Sequence, residues 1–139
     1  MTTFDREQIK NILPHREPML LVDDAEVRDD GSCVGHYSVR GDEFFLSGHF
    51  PGNPIVPGVI LCEMCAQSAA VMFMEQIQGK TPVYTGINNV KFRSSVRPGD
   101  RIEFHCALTR SKPPFYFMSG EASVDGKRVM SGDFSFALV

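Results

Sequence analysis

From Gly58 to Gln78 the chain contains no proline and no glycine after its first residue, and its side chains are apolar on nearly every side until Glu75, Gln76 and Gln78. The length of the run predicts a helix rather than a strand, and Gly79 is a suitable stop. A helix at a protein surface carries one apolar stripe, whereas one that is apolar most of the way round has to be covered on most sides. Whatever else this chain builds must therefore wrap that helix.

The rest of the chain is built mainly of strands. Phe4 to Ile12 predicts a short helix after a possible Thr cap, ended by Pro14. MLLVDDAEV (19–27) predicts a strand, Asp29, Asp30 and Gly31 a turn, and SCVGHYSV (32–39) the second arm of a hairpin. DEFFLSG (42–48) predicts a turn or a single helical coil, and then Pro51, Gly52, Asn53, Pro54 and Pro57 forbid any regular element. Beyond the helix, PVYTGINNVKFRS, DRIEFHCALT, FYFMSGEASV and KRVMSGDFSFALV each predict a strand, separated by RPGD, by Pro113-Pro114 and by VDGK. Strand and helix never alternate, so an antiparallel α+β domain is expected rather than a parallel sheet. A curved antiparallel sheet of about six strands wrapped around one long central helix is the hot-dog architecture, expected here as a single domain over 1–139. Such sheets commonly pair edge to edge in a dimer, which hides an exposed strand edge.

Composition narrows the partners. At 139 residues, 42% hydrophobic and 22% charged, the chain has the make-up of a globular protein, and no stretch approaches the roughly 20 uninterrupted apolar residues of a membrane span. The opening MTTFDREQIK shows no secretory signal, so a cytoplasmic protein with reduced thiols and no membrane partner is expected. A net charge of 14 minus 17, or −3, argues against nucleic acid. Cys62 and Cys65 have a suggestive spacing, but no second ligand pair accompanies them, so small buried core residues are expected and no metal. Lys91, Arg93, Arg97 and Arg101 surround the single Asp100 and form a basic patch, read either as a solvated strand edge or as a docking surface.

The candidate chemistry lies in GHFPGNPIVPGVILCEMCAQ (48–67). Pro57 opens the helix, and the N–H groups of Gly58 and its neighbours lie at the positive end of the dipole, where a carbonyl oxygen or an anion sits well. Glu63 and Gln67 are four residues apart and project from one face, among Ile60, Leu61, Cys62, Met64, Cys65 and Ala66. A carboxyl desolvated by such neighbours favours its protonated form and suits an acid. Taken singly, Glu63 reads as half of a buried ion pair and His49 as a histidine that caps its own loop. Taken together, they provide a base (His49), a carbonyl polariser (Gly58), an acid (Glu63) and an orienting amide (Gln67). That set suits removal of a proton next to a thioester carbonyl with loss of a β-hydroxyl. No serine or cysteine has an obvious histidine partner, so acyl transfer through a covalent intermediate is less attractive.

Three stretches, LPHREPMLLVD (13–23), the 48–67 segment and GINNVKFRSSVRPGD (86–100), resemble in order and spacing the signature stretches of the (3R)-hydroxyacyl-[acyl-carrier-protein] dehydratases of the FabZ type. The resemblance implies a hot-dog fold, a homodimer at minimum and usually a hexamer built as a trimer of dimers. It also implies dehydration of 3-hydroxyacyl chains carried on the phosphopantetheine of acyl carrier protein, without a cofactor bound to the enzyme itself. By position, His49 and Glu63 match the catalytic pair, with the glutamate normally donated by the other subunit. Gly58 matches the donor to the thioester oxygen and Gln67 the residue that steadies the glutamate, while Lys91, Arg93 and Arg97 become candidates for carrier docking. Glu63 favours the plain dehydratase over the dehydratase-isomerase branch, which usually has aspartate there. Glu17 and the 111–117 segment depart from the family pattern and bear on chain length and docking. The alternatives on the same fold are an acyl-thioesterase and a non-catalytic acyl-carrier-binding subunit.

Overall fold

A computed structural model describes residues 1–139. The elements are β1 (Thr2–Asp5), α1 (Arg6–Lys10), β2 (Asp24–Val27), β3 (Cys33–Ser38), α2 (Gly58–Ser68), α3 (Met74–Ile77), β4 (Pro82–Phe92), β5 (Arg101–Lys112), β6 (Phe115–Val124) and β7 (Lys127–Leu138). Every strand pairing is antiparallel, in the order β1-β2-β3-β5-β6-β7-β4. The sheet therefore has seven strands where about six were expected. The addition is β1, taken from the start of the expected Phe4–Ile12 helix, where Phe4 pairs with Ala25. Asp5 then caps a shorter α1 in place of the expected threonine. Its carboxylate accepts from the Gln8 N–H at 2.8 Å, while the Gln8 side chain accepts from the Asp5 N–H at 2.8 Å.

The strand expected over 19–27 begins only at Asp24. Leu20, Leu21 and Val22 are buried as a strand would bury them, but side chains occupy the backbone groups that a ladder would use. The Arg6 guanidinium donates to the carbonyls of Leu20 (2.9 Å) and Val22 (3.0 Å), and Gln67 accepts from the Leu21 N–H at 2.7 Å. This stretch is thereby fastened to the central helix rather than to the sheet.

The concave face of the sheet holds α2, which packs against β3, β5, β6 and β7. The helical run is less regular than expected. It is α-helical to Ser68, tightens to a 3₁₀ turn over Ala69–Phe73 and ends with α3. At the change the Ser68 hydroxyl donates back to the Met64 carbonyl at 2.8 Å, competing with the helical ladder. Gly58–Ile77 is, contrary to the expectation from composition, long and apolar enough to cross a bilayer. More than half of that window is buried inside the fold, which accounts for its apolar character as core.

All four cysteines are buried. Cys62 and Cys65 do not face each other as a ligand pair; Cys65 Sγ instead lies 3.5 Å from Cys106 Sγ on β5. Burial pushes the Cys62 thiol up to about 11, so at neutral pH it is a core thiol and not a thiolate nucleophile.

At the opposite end of the sheet from β1, β4 is an edge strand whose large side chains lie open: Val83, Tyr84, Ile87 and Phe92 are each at least 39% exposed. A long apolar edge of this kind invites another strand.

Candidate active site

The loop before α2 is folded around His49. Glu43 anchors its start, accepting from the Tyr37 hydroxyl (2.8 Å) and from the N–H groups of Arg40 (2.9 Å) and Gly41 (2.8 Å). Burial opposes a charge on Glu43, but these donors outweigh it and hold the carboxyl below its ordinary range. Gly48 and Gly52 adopt φ of +79° and +70°, which glycine tolerates best, and they turn the chain on either side of the histidine. His49 is then clamped twice to one residue. Its carbonyl accepts from the Ile55 N–H at 2.9 Å, and its Nδ1 lies 2.9 Å from the Ile55 carbonyl. A carbonyl only accepts, so Nδ1 carries the proton and the Nε2 lone pair is left free to act as a base. The ring also stacks on Phe50, with centroids 4.1 Å apart.

His49 and Gly58 open into the same cavity, together with Phe92, Arg93, Ser94 and Ser95. Pro57 supplies no side-chain cap to α2, so the first N–H groups of the helix, Gly58 among them, have no partner within it. A methyl group at position 58 would meet the Phe92 ring at 2.8 Å, so glycine lets the ring close over the helix end. The hydroxyls of Ser94 and Ser95 make no hydrogen bond to His49, whose ring bonds only to Ile55. Nothing here is arranged as a nucleophile and its base.

Glu63 opens elsewhere, into a cavity that it shares with Leu13, His15, Gln67, Tyr84 and Phe136. Gln67 is 2% exposed and fully engaged. Its amide donates to Glu63 Oε2 at 2.8 Å and to the Met19 carbonyl at 2.8 Å, and its oxygen accepts from Leu21. The Glu63 side chain is 21% exposed, open to the cavity rather than sealed in the apolar surround that its sequence neighbours suggested. The Tyr84 hydroxyl donates to the Cys62 carbonyl at 3.1 Å beside it, and burial together with the nearby Glu63 charge pushes the phenol well above its ordinary range.

The structure thus groups His49 with Gly58 and Glu63 with Gln67, in separate cavities. Phe92, at the end of β4, lines the first cavity, and Tyr84, near its start, the second. The strand is irregular between them, with register shifts at Tyr84/Gly86 and Asn88/Lys91, and on α2 Gly58 and Glu63 lie five residues, about 7.5 Å along the axis, apart. Sequence reasoning missed His15 and Tyr84; His15 lies within the first signature stretch, whereas nothing local marks Tyr84. Of the basic candidates, Arg93 lines the His49 cavity, Arg97 donates to Asn53 in the His49 loop, and Lys91 is exposed on β4. Glu17 faces away from the chemistry, paired with Arg6 (3.2 Å) and Lys10 (3.2 Å).

The FabA-like domain family matches residues 13–133. A 3-hydroxyacyl-[acyl-carrier-protein] dehydratase FabZ of Clostridium beijerinckii is 42% identical over 94% of this chain and 96% of its own length. The chain belongs to the FabZ-type dehydratase family. A FabZ of Staphylococcus epidermidis is 39% identical over 99% of this chain and 97% of its own length. Among solved structures, a dehydratase heterocomplex of Xenorhabdus doucetiae matches with a TM-score of 0.81 at 20% identity, over 94% of this chain and 90% of that one. A mutant thioesterase of Pseudomonas aeruginosa matches with a TM-score of 0.71 at 17% identity, over 99% of this chain and 96% of that one. Both of these share the hot-dog fold expected from the sequence.

Proposed function

We propose that this FabZ-family chain dehydrates (3R)-hydroxyacyl-[acyl-carrier-protein] to the trans-2-enoyl thioester in fatty-acid synthesis, at sites shared between two copies. The observation that carries the shared site is the placement of the two cavities at opposite ends of an open edge strand. Antiparallel pairing of β4 with β4 of a second copy, about a two-fold axis near its middle, lays the Tyr84 end of one chain against the Phe92 end of the other. The Glu63 cavity of each chain then meets the His49 cavity of its partner. The same pairing covers the exposed apolar edge. A homodimer is thus the minimum working unit, and three such dimers would form the hexamer usual in the family.

In each shared site His49 Nε2 takes the α-proton while the Gly58 N–H holds the developing enolate oxygen. Electrons from the broken C–H bond form the α–β double bond as the β-carbon–oxygen bond breaks. The hydroxyl leaves as water with the proton of Glu63, which Gln67 steadies. His49 ends protonated and Glu63 ionised, and solvent exchange resets both. These groups supply acid–base chemistry without a resident cofactor, on a substrate tethered to phosphopantetheine, in a cytoplasmic setting. Offered a 3-hydroxyacyl thioester on its carrier, the purified protein is expected to raise enoyl absorbance without releasing free thiol. Thiol release without enoyl formation would mean a thioesterase, and neither activity a binding subunit.

Lys91, Arg93 and Arg97 lie along and beyond the end of β4 nearest the His49 cavity, and we place the acidic carrier protein against them. Changing Arg93→Glu with Arg97→Glu is expected to raise the KM for the acyl carrier at least tenfold at low salt, with the difference shrinking as salt rises. An unchanged KM across salt would return the patch to a solvated edge.

A further inference from the structure

The first signature stretch contributes a side chain to the Glu63 cavity that the mechanism above leaves idle. His15 Nε2 lies 3.5 Å from Glu63 Oε2, with the two side chains 23% and 21% exposed. Its other ring nitrogen, Nδ1, is buried without any hydrogen-bond partner, alone among the buried side-chain nitrogens and oxygens of the molecule. A proton on Nδ1 would be a buried donor with no acceptor, so the favoured tautomer carries its proton on Nε2, facing the carboxylate. The backbone that carries the ring is fixed from behind. Arg16 donates to the carbonyls of Leu13 (2.9 Å), His15 (2.6 Å) and Lys10 (3.0 Å). Glu17 adds its pairs with Arg6 and Lys10 on α1.

From this geometry we infer that His15 is a positioning residue for Glu63, the second donor to Oε2 beside Gln67. This rests on Glu63 acting as the general acid. At 3.5 Å the pair is longer than a formed hydrogen bond, and contacts of this kind in unliganded sites commonly tighten when substrate binds. Two donors on one oxygen have a chemical consequence that one does not. They make Oε2 the carbonyl oxygen of the neutral acid and leave Oε1 as the hydroxyl, so the transferable proton sits on the oxygen free of protein donors. With Gln67 alone, rotation of the carboxyl remains open and either oxygen can carry the proton. His15 therefore orients the acid without touching the reacting atoms.

The titratable groups that face Glu63 within the chain are His15 from the loop after α1, Cys62 on its own helix and Tyr84 from β4. A pH experiment can separate His15 from the other two by substituting it alone. His15→Leu removes the donor and keeps bulk, and His15→Gln returns an N–H near the place of Nε2. In crotonyl-thioester hydration, His15→Leu is expected to lower kcat about tenfold or more with KM within twofold of wild type. Because hydration starts from ionised Glu63, the variant's acid limb should move to higher pH, since a donor to a carboxylate favours the charged form and its loss does the opposite. His15→Gln should recover most of kcat and return the limb.

An unchanged kcat and pH profile in His15→Leu would overturn the assignment. So would equal losses in both variants accompanied by equal falls in Tm, which mark a wall rather than a donor. Glu63→Gln, run alongside, separates the two levels of the argument. If that variant keeps a near-native rate, the reading of Glu63 fails and the role of His15 fails with it; if it is inactive while His15→Leu is normal, only the role of His15 fails.

Discussion

Glu63→Gln is expected to lower crotonyl-thioester hydration, the reverse of the physiological reaction, by about 10²–10⁴-fold, the usual contribution of a general acid. The substitution is well suited to the question because it changes little else. Glutamine keeps the shape of the side chain and an oxygen that can accept from Gln67, so the bonds from Gln67 to Met19 and Leu21 that fasten the 19–21 stretch to α2 can persist. Tm should therefore stay close to wild type while kcat collapses. An amide can neither give a proton to a departing hydroxyl nor take one from the attacking water as a carboxyl group does, so the loss should appear in kcat far more than in KM. A near-native rate would take Glu63 out of the chemistry. His49→Ala should match it in size, since Nε2 is the only nitrogen of that ring left free, the other being held by Ile55.

Much of this site is legible in one segment because the segment is local. Gly48, Gly52 and the prolines shape the loop that holds His49, the helix begins at Gly58, and the four-residue spacing of Glu63 and Gln67 allows the 2.8 Å contact between them. What the sequence hides is non-local. The three bonds of Gln67 are divided between its own helix and a stretch more than forty residues earlier, and that stretch resists strand formation for the same reason. Arg6 binds the carbonyls of Leu20 and Val22 from α1, a helix the sequence shows, but no local pattern marks the contact. His15 is unremarkable by pattern and becomes interesting only once its ring lies beside a carboxylate. Thr2–Asp5 carries no strand signal of its own and is recruited by an open edge of β2. The length and apolar character of the central helix are plain in the sequence, but its tightening at Ser68 depends on a hydroxyl turning back to Met64.

The separation of base and acid has the largest functional consequence. Tyr84 and Phe92 tie the two cavities to opposite ends of a strand with no neighbour on its outer edge, so the proposed pairing would also cover the exposed apolar residues of that edge, Ile87 and Phe92 among them. If the sites are shared in this way, assembly and catalysis depend on each other, and a chain that cannot pair should be unable to turn over.

Mixing two inactive variants tests this most directly. His49→Ala keeps Glu63 and Glu63→Gln keeps His49, so a mixed dimer contains one intact site and one that lacks both groups. With random exchange of equal amounts, half of the dimers are mixed and each has one working site of two, so about a quarter of wild-type activity should return. The variants are refolded together with different tags, and mixed dimers are isolated through both tags before assay. Recovery near that level, and about half of wild-type activity in the isolated mixed dimer, is the result expected for sites shared between chains. Mixed dimers no more active than either parent would contradict it and return the base and the acid to a single chain.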